Sequence, residues 1–410
     1  VDTISKYFYA AYGKYITRFR ALPLDMDMLR PVERRVLLTV HETARRQYTK
    51  SAKVVGSCIA NYHPHADQPV YQTLVRYVVM GLVDGQGGFY SYGVQPLQPS
   101  AMRYTEVKEN PVIGELLSLI DYAPKDVLEF AEEPIYIPSP IPIGLIGNRM
   151  NFGVSFHRTV YPTFTIQSLF ERLFALLENK EKRIVPFVEG CKYTGNDEEL
   201  DKLFSTGVCN LQFTAEHETK GKEVHVYGQP VVSWNPVLRC IEKNKASYKD
   251  LSTKSTHVII PAKCKDALTQ SIKASVVVVN HDGVPRTAGI DELLLLSFEG
   301  YKQALKRKLR HTVSNLRQQA KELEIIKKLK PEIKNLKSES DLRTISKSIK
   351  VDYNELKSVI SKYSINRLIT VQVDLSTVNK NIKENIERLH CIDDYAIESA
   401  VKVKDNLKPA

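Results

Sequence analysis

The sequence has no apolar run of the roughly 18 residues that a membrane-spanning helix requires, and its first residues, Val1-Asp-Thr-Ile-Ser-Lys6, lack the apolar core of a signal peptide. The expectation is an intracellular protein of the cytoplasm or nucleoid with no membrane partner. Cysteine is scarce: six residues (Cys58, Cys191, Cys209, Cys240, Cys264 and Cys391) are scattered with no Cys-x-x-Cys pair. That spacing excludes a zinc-finger ligand set, and a chain of this length needs no disulfide staples, so free thiols in a reducing compartment are expected. Tryptophan occurs once, and Trp234 reads as a core residue. There is no Walker-type glycine-rich loop, and no Asp-x-Asp in the strand context that a magnesium-binding module needs. Asp25-Met-Asp27 has that spacing but lies in a loop, and is read as structural. ATP and metal are therefore not expected to bind this chain alone. Acidic residues are also in deficit, 47 against 58 Lys plus Arg, and the formal charge of +11 favours a polyanionic partner.

What the 410 residues do contain is enough apolar sequence for two to four domains. Residues 1–29 form an aromatic and basic arm (Tyr7, Phe8, Tyr9, Tyr12, Tyr15, Arg18, Phe19, Arg20), read as an amphipathic helix ending at Leu22-Pro23. Residues 30–125 are compact. Ser51–Ala60 sets Val55, Cys58 and Ile59 on one helical face. Pro69–Met80 sets Val70, Leu74, Tyr77 and Val78 on one face and Gln72, Thr73 and Arg76 on another. The linker between them is short and holds Tyr62-His-Pro-His65, a helix-turn-helix arrangement whose second helix is expected to start at an Asp or Gln cap with Pro at its first position. Residues 126–290 alternate β-rich patches (224–227, 257–260, 274–280) with one helix near 168–178, an α+β pattern. From 291 the character is helical and lysine-rich. Leu294, Phe298, Tyr301, Leu305, Leu309, Val313 and Leu316 recur at steps of three and four, and the stripe returns through Val378, Ile382, Ile386 and Leu389. The pattern predicts a long antiparallel hairpin over 291–400 with a helical knob at about 332–372. The tail, 401–410, reads as frayed.

Three motifs occur in order within the compact region: Arg30-Pro-Val-Glu-Arg-Arg35, Tyr62-His-Pro-His-Ala-Asp67, and Val83-Asp-Gly-Gln-Gly-Gly88 leading to Ala101-Met-Arg-Tyr-Thr-Glu106. Read bare, Tyr104 carries a phenol with a pKa near 10, so attack on phosphorus needs a proton acceptor or adjacent positive charge. Arg103 cannot be a base but can stabilise charge on a phosphorane. His63 and His65 are candidates for proton transfer or phosphate contact.

Together these strings resemble the breakage-reunion core of type IIA DNA topoisomerases, nearest the A subunits of DNA gyrase and topoisomerase IV; the likeness is sharp from about 18 to 107. It implies an α+β multidomain chain: a winged-helix DNA-cleavage domain at 30–125, a tower domain at 126–290, and a coiled coil ending in a dimerisation gate. It further implies that Tyr104 forms a 5′-phosphotyrosyl link to double-stranded DNA, assisted by Arg103, His63 and His65. Arg34, Arg35, Lys53 and Arg76 would contact phosphates. Phe152, in Asn151-Phe-Gly-Val-Ser155, would stand at the family's DNA-bending wedge. Mg2+ and ATP would come from a B-type subunit or fused upstream domains, and the chain itself would form a homodimer through its gate.

The departures are Ala66 for a family Gly, Met28 for another, and Gln68 and Gln72 at the Ser and acidic positions that anchor quinolones. They suggest a viral or phage member that quinolones trap poorly; strong drug-stabilised cleavage would contradict this. The absence of a following β-propeller favours relaxation or decatenation over supercoiling. The alternative reading is a non-catalytic dimeric winged-helix DNA-binding protein with a coiled coil.

Overall fold

The computed structural model describes residues 2–153, 159–335, 339–363, 368, 370 and 373–407. It is a mixed α+β chain, and it divides into two compact units, residues 1–301 with 400–410, and residues 302–399. No helix among the described residues is long and apolar enough to cross a membrane.

In the first unit, helix α1 (Asp2–Ile16) continues through a wide π-helical turn, Thr17–Ala21, and ends at Leu22. Ala21 and Leu22 are buried against Val279, whereas Tyr7, Phe8, Tyr9 and Tyr12 are exposed. Helix α2 (Pro31–Thr43) starts where proline belongs, at its first position, and the Arg30 backbone N–H donates to Glu33 Oε2 at 2.7 Å. There follow β1 (Thr49–Lys50), α3 (Ser51–Asn61), α4 (Asp67–Val79), β2 (Val83–Gln86) and β3 (Glu106–Glu109), the strands forming an antiparallel sheet in the order β1-β3-β2. Val36, Leu37 and Val40 of α2, Val54, Val55 and Cys58 of α3, and Val70, Leu74 and Tyr77 of α4 fill the core between the helices. Thr73 is buried, and its hydroxyl is satisfied by donating back to the Pro69 carbonyl at 2.9 Å. One expectation is corrected here. Helix α4 begins at Asp67 after an uncapped Ala66, so Pro69 stands two residues further in than expected.

Two antiparallel sheets organise the rest of this unit. After α5 (Pro111–Leu116) and the pair β4 (Lys125–Val127) and β5 (Glu132–Pro134) come β6 (Asn151–Gly153), β7 (Thr159–Tyr161), α6 (Ile166–Leu177), β8 (Cys191–Tyr193), α7 (Asp197–Thr206) and β9 (Val208–Ala215). Next are β10 (His217–Lys220), β11 (Glu223–Val226), α8 (Asn235–Lys243), β12 (Lys249–Asp250), β13 (Val258–Pro261) and β14 (Thr269–Ser275). The five-stranded sheet runs β6-β7-β14-β9-β8 and the four-stranded sheet β10-β11-β13-β12. The apolar run expected over 274–280 is split, β14 ending at Ser275 and β15 (Val277–Val279) pairing instead with β16 (Pro285–Thr287). Trp234 is buried with Val224, Val226, Val258 and Ile260, as expected of a core residue.

Helix α9 (Ile290–Leu329) has 40 residues, roughly 60 Å at 1.5 Å per residue. Its predicted stripe is buried from Leu294 through Val313. Within the second unit, α10 (Glu339–Ile349) and α11 (Tyr353–Lys362) bury Ile345, Leu356 and Val359 against Ile326 and Leu329, a helical cluster where the knob was expected. Helix α12 (Leu375–His390) then returns antiparallel to α9: Val313 and Arg317 line a groove with Ile386 and Leu389, and Lys302 Nζ meets Asp393 Oδ1 at 2.8 Å. Helix α13 (Ile392–Asn406) corrects the expected fraying from 401, because its Ala396, Ala400 and Val403 are buried.

Candidate active site

Tyr104 lies on the loop before β3, and its side chain is 65% exposed. The loop is held by the amino end of α3. The free N–H groups of its first turn, which have no partner inside the helix, are used here: Ser51 N–H donates to the Thr105 carbonyl at 3.0 Å and Ala52 N–H to the Met102 carbonyl at 3.2 Å. Thr105 is buried and its hydroxyl donates to Ser51 Oγ at 2.8 Å, while Tyr71 OH lies 3.1 Å from Thr105 Oγ1. Gly87, at φ +108°, passes so close under the Tyr104 carbonyl that a Cβ there would lie 3.2 Å from it. The glycines of Val83-Asp-Gly-Gln-Gly-Gly88 therefore let one loop pass beneath another. Arg103 places its guanidinium carbon 4.6 Å from the centre of the Tyr104 ring. A rigid backbone thus presents a solvent-facing phenol with a cation on its face.

A second cluster forms beyond the other end of α3. His63 is buried, its Nδ1 2.8 Å from Arg35 Nη1. Burial first, and the Arg35 charge with it, pushes the His63 imidazole down to about 4. At neutral pH it is an uncharged ring whose Nδ1 accepts from Arg35. His65 packs edge-on against His63 at 4.6 Å between ring centres, and both its ring nitrogens lie 3.4 Å from Arg20 Nη2. Glu129 completes the group. It receives Arg35 Nη1 at 2.8 Å and the Tyr15 hydroxyl, and lies 3.8 Å from His65 Nε2. Burial would raise the Glu129 carboxyl, yet its hydrogen bonds from Tyr15 and Arg35 hold it below the usual range.

The structure therefore brings His63, His65 and Arg35 together, and separately Tyr104 and Arg103. The 11-residue helix α3 between the two groups is roughly 16 Å long. Arg20, Tyr15, Glu129 and Glu133 were not singled out as site residues from sequence; the only signal was the basic and aromatic density of the arm around Arg18-Phe-Arg20.

Three of the expected phosphate contacts are engaged by carboxylates of the fold. Arg34 is buried and holds Asp27 through two bonds, Nε to Oδ2 at 2.7 Å and Nη2 to Oδ1 at 3.0 Å. Arg35 is fully buried and its guanidinium holds Glu133 at 2.6 Å as well as Glu129. Arg76 is paired with Glu33, whose carboxyl burial would raise but which Arg76 and Arg30 bring down to about 2. Arg34 and Arg35 are buried with their carboxylates, whereas Arg76 keeps about a quarter of its side chain exposed, 26%. Lys53, by contrast, is exposed on the first turn of α3, and no ion pair engages it among the described residues. Phe152 lies in β6, its backbone in register with Val160, and its side chain falls outside the described residues. Gln68 and Gln72 are both exposed on α4.

Neither Asp25 nor Asp27 is free to hold magnesium. Asp27 spends its oxygens on Arg34, on Leu29 N–H and on Ile137 N–H, each at 3.0 Å or less, and Asp25 holds Arg286 at 2.9 Å. The set His63, His65 and Glu129 offers ligand atoms within 4.8 Å of one another, but two are imidazoles and two guanidiniums crowd them, whereas magnesium takes oxygens.

The sequence profile of the family of DNA gyrase and topoisomerase IV A subunits matches residues 20–403. The chain belongs to that family. Among its relatives is the DNA gyrase A subunit of Helicobacter pylori (strain J99), 32% identical over 255 residues covering 56% of this chain and 30% of the relative. The topoisomerase 4 A subunit of Bacillus subtilis (strain 168) is 36% identical over 169 residues, 38% of this chain and 20% of the relative. The DNA gyrase A subunit of Haloquadratum walsbyi is 28% identical over 246 residues, 54% of this chain and 28% of the relative. The chain thus aligns with less than a third of these curated gyrase and topoisomerase proteins, and membership rests on the match that spans most of its own length.

Proposed function

We propose that this chain is the DNA cleavage and religation part of a type IIA topoisomerase, with Tyr104 as the nucleophile. The observation that carries the reading is the exposed phenol on a loop clamped to the start of α3, with Arg103 stacked on its ring. In the reaction the phenolic oxygen bonds to a backbone phosphorus, the bond from phosphorus to the 3′ oxygen breaks, and the departing oxygen takes up a proton. The phosphate bond energy is kept in the 5′-phosphotyrosyl link, so the reverse attack reseals the strand. Arg103 offsets charge on the phosphorane. The phenol's own proton must pass to an acceptor beyond this chain's His63, because that ring lies past the far end of α3.

Residues 30–125 then act as a winged-helix domain, with β2 and β3 as the wing, and 126–290 as the tower. Two copies joined through the α10–α11 cluster cut the two strands and open a gate for a second duplex, changing DNA topology. Magnesium and ATP act in the assembled enzyme through a B-type subunit or upstream domains; in this chain the Asp25-Met-Asp27 pair is taken up by Arg286 and Arg34. Lys53 contacts phosphate directly, and Phe152 is the wedge that opens a base step. An enzyme of this kind works inside the cell, where its DNA is.

The test is a cleavage assay on end-labelled duplex with magnesium and a B-type partner. Wild-type protein should become covalently attached to labelled DNA, and Tyr104→Phe should lose the adduct while DNA affinity stays within about twofold. An adduct that survives this substitution, or DNA binding without any adduct in the wild type, would leave a DNA-binding protein rather than an enzyme.

A further inference from the structure

The outer face of the four-stranded sheet carries a group that the cleavage reaction does not use. Residues of β11 alternate strictly, with Val224 and Val226 buried in the core and His225 on the outer face, while Tyr227, just past the strand, is 43% exposed. On the neighbouring strand Val258 is buried, so His257 before it also faces out. The two imidazoles meet across the strand gap with His225 Nδ1 only 3.1 Å from His257 Nε2. Their rings lie within 30° of parallel at 5.4 Å, and Tyr227 stacks on the other side of His257 at 5.3 Å. Glu218 sits in register beside His225 on β10, where it accepts from Lys220 at 2.9 Å and from the Tyr227 hydroxyl at 3.4 Å.

We propose that His225 and His257 form a surface chelate for a divalent transition-metal ion of the imidazole-preferring class, such as zinc, nickel or copper. The geometry sets the bite. An ion placed about 2.05 Å from each nitrogen, the usual imidazole distance, would subtend an N–M–N angle of roughly 98° across the 3.1 Å gap, between the octahedral and tetrahedral values. His225 is held by its strand and His257 by stacking between His225 and Tyr227, so the pair is formed before the ion arrives. One of the facing nitrogens now donates a proton to the other. On binding, that proton moves through water to the second nitrogen of its own ring, so both facing nitrogens present lone pairs and no proton is lost overall. Water fills the remaining positions. A magnesium ion is not held here, because two nitrogens are poor ligands for it. The site is independent of the cleavage chemistry, since it lies on a different sheet from the Tyr104 loop.

The experiment is titration of the whole chain with Ni2+ by calorimetry, with Cu2+ paramagnetic resonance under argon as the second readout. The wild type should bind one ion at this site, and its copper spectrum should show two equatorial nitrogens. His225→Gln and His257→Gln should each weaken nickel binding by tenfold or more and reduce the copper spectrum to one nitrogen, with circular dichroism unchanged. His65→Ala should leave both readouts as they are. Unaltered nickel binding in both Gln variants, or loss in His65→Ala instead, would overturn the proposal. Should either Gln variant fold poorly, the wild-type copper spectrum decides alone: nitrogen coupling absent, or sulfur ligation from the cysteines, also overturns it.

Discussion

Arg34, Arg35 and Lys53 are all cations of the region expected to face DNA, yet among the described residues only Lys53 is free of an ion pair. Asp27 and Arg34 form a buried pair in which each carboxylate oxygen is also bonded to a backbone N–H. Removing one partner leaves an uncompensated charge in the core, so Arg34→Ala should lower unfolding free energy by about 3–5 kcal/mol, measured by denaturant titration. Lys53→Ala should instead leave stability within about 0.5 kcal/mol and reduce the log–log salt slope of DNA binding by about 0.9. An unaltered slope would show that Lys53 touches no phosphate. His63 gives a pH prediction. Its folded-state value, about 4, lies below the unfolded 6.5, so the unfolded chain binds the proton more readily between those values. Its contribution to stability is therefore present above pH 6.5 and is lost as pH falls toward 4. His63→Gln should flatten the drop in melting temperature over that window; a parallel drop in the variant would refute it. At this scale the sequence disclosed residue types but not their partners, because Glu133 lies 98 positions from Arg35.

Element by element, what was legible was what repeats along the chain. The three-and-four spacing predicted a long helix from 291 towards the knob, and the helix runs Ile290–Leu329, because burial of one stripe acts on every turn alike. The break at Val276 was not legible: an uninterrupted apolar run suits one long strand, and it divides because β14 continues the five-stranded sheet while β15 pairs with β16. Met28 itself takes a positive φ of +57°, the left-handed region that favours glycine. Its carbonyl meets Gly144 so closely that an added Cβ would stand 1.8 Å from Met28 O. Gly144→Ala should therefore cost about 3 kcal/mol, in thermal or chemical melts, as an overpacked backbone contact. Wild-type stability in that variant would mean that the loop moves freely.

For the whole molecule, the proposed gate is the α10–α11 cluster, which in that proposal holds two copies together. Replacing residues 332–372 by a short linker should convert a dimer into a monomer in sedimentation analysis; a dimer that persists would put the association elsewhere.

By itself the sequence determined the family and the periodic helices, and it singled out the tyrosine proposed as nucleophile, since each depends on residues adjacent or regularly spaced along the chain. Only the tertiary structure decided which cations are free to meet DNA and where the histidines stand. Charge pairing and burial depend on distances through space, and the carboxylates that engage Arg34, Arg35 and His65 arrive from other elements of the fold.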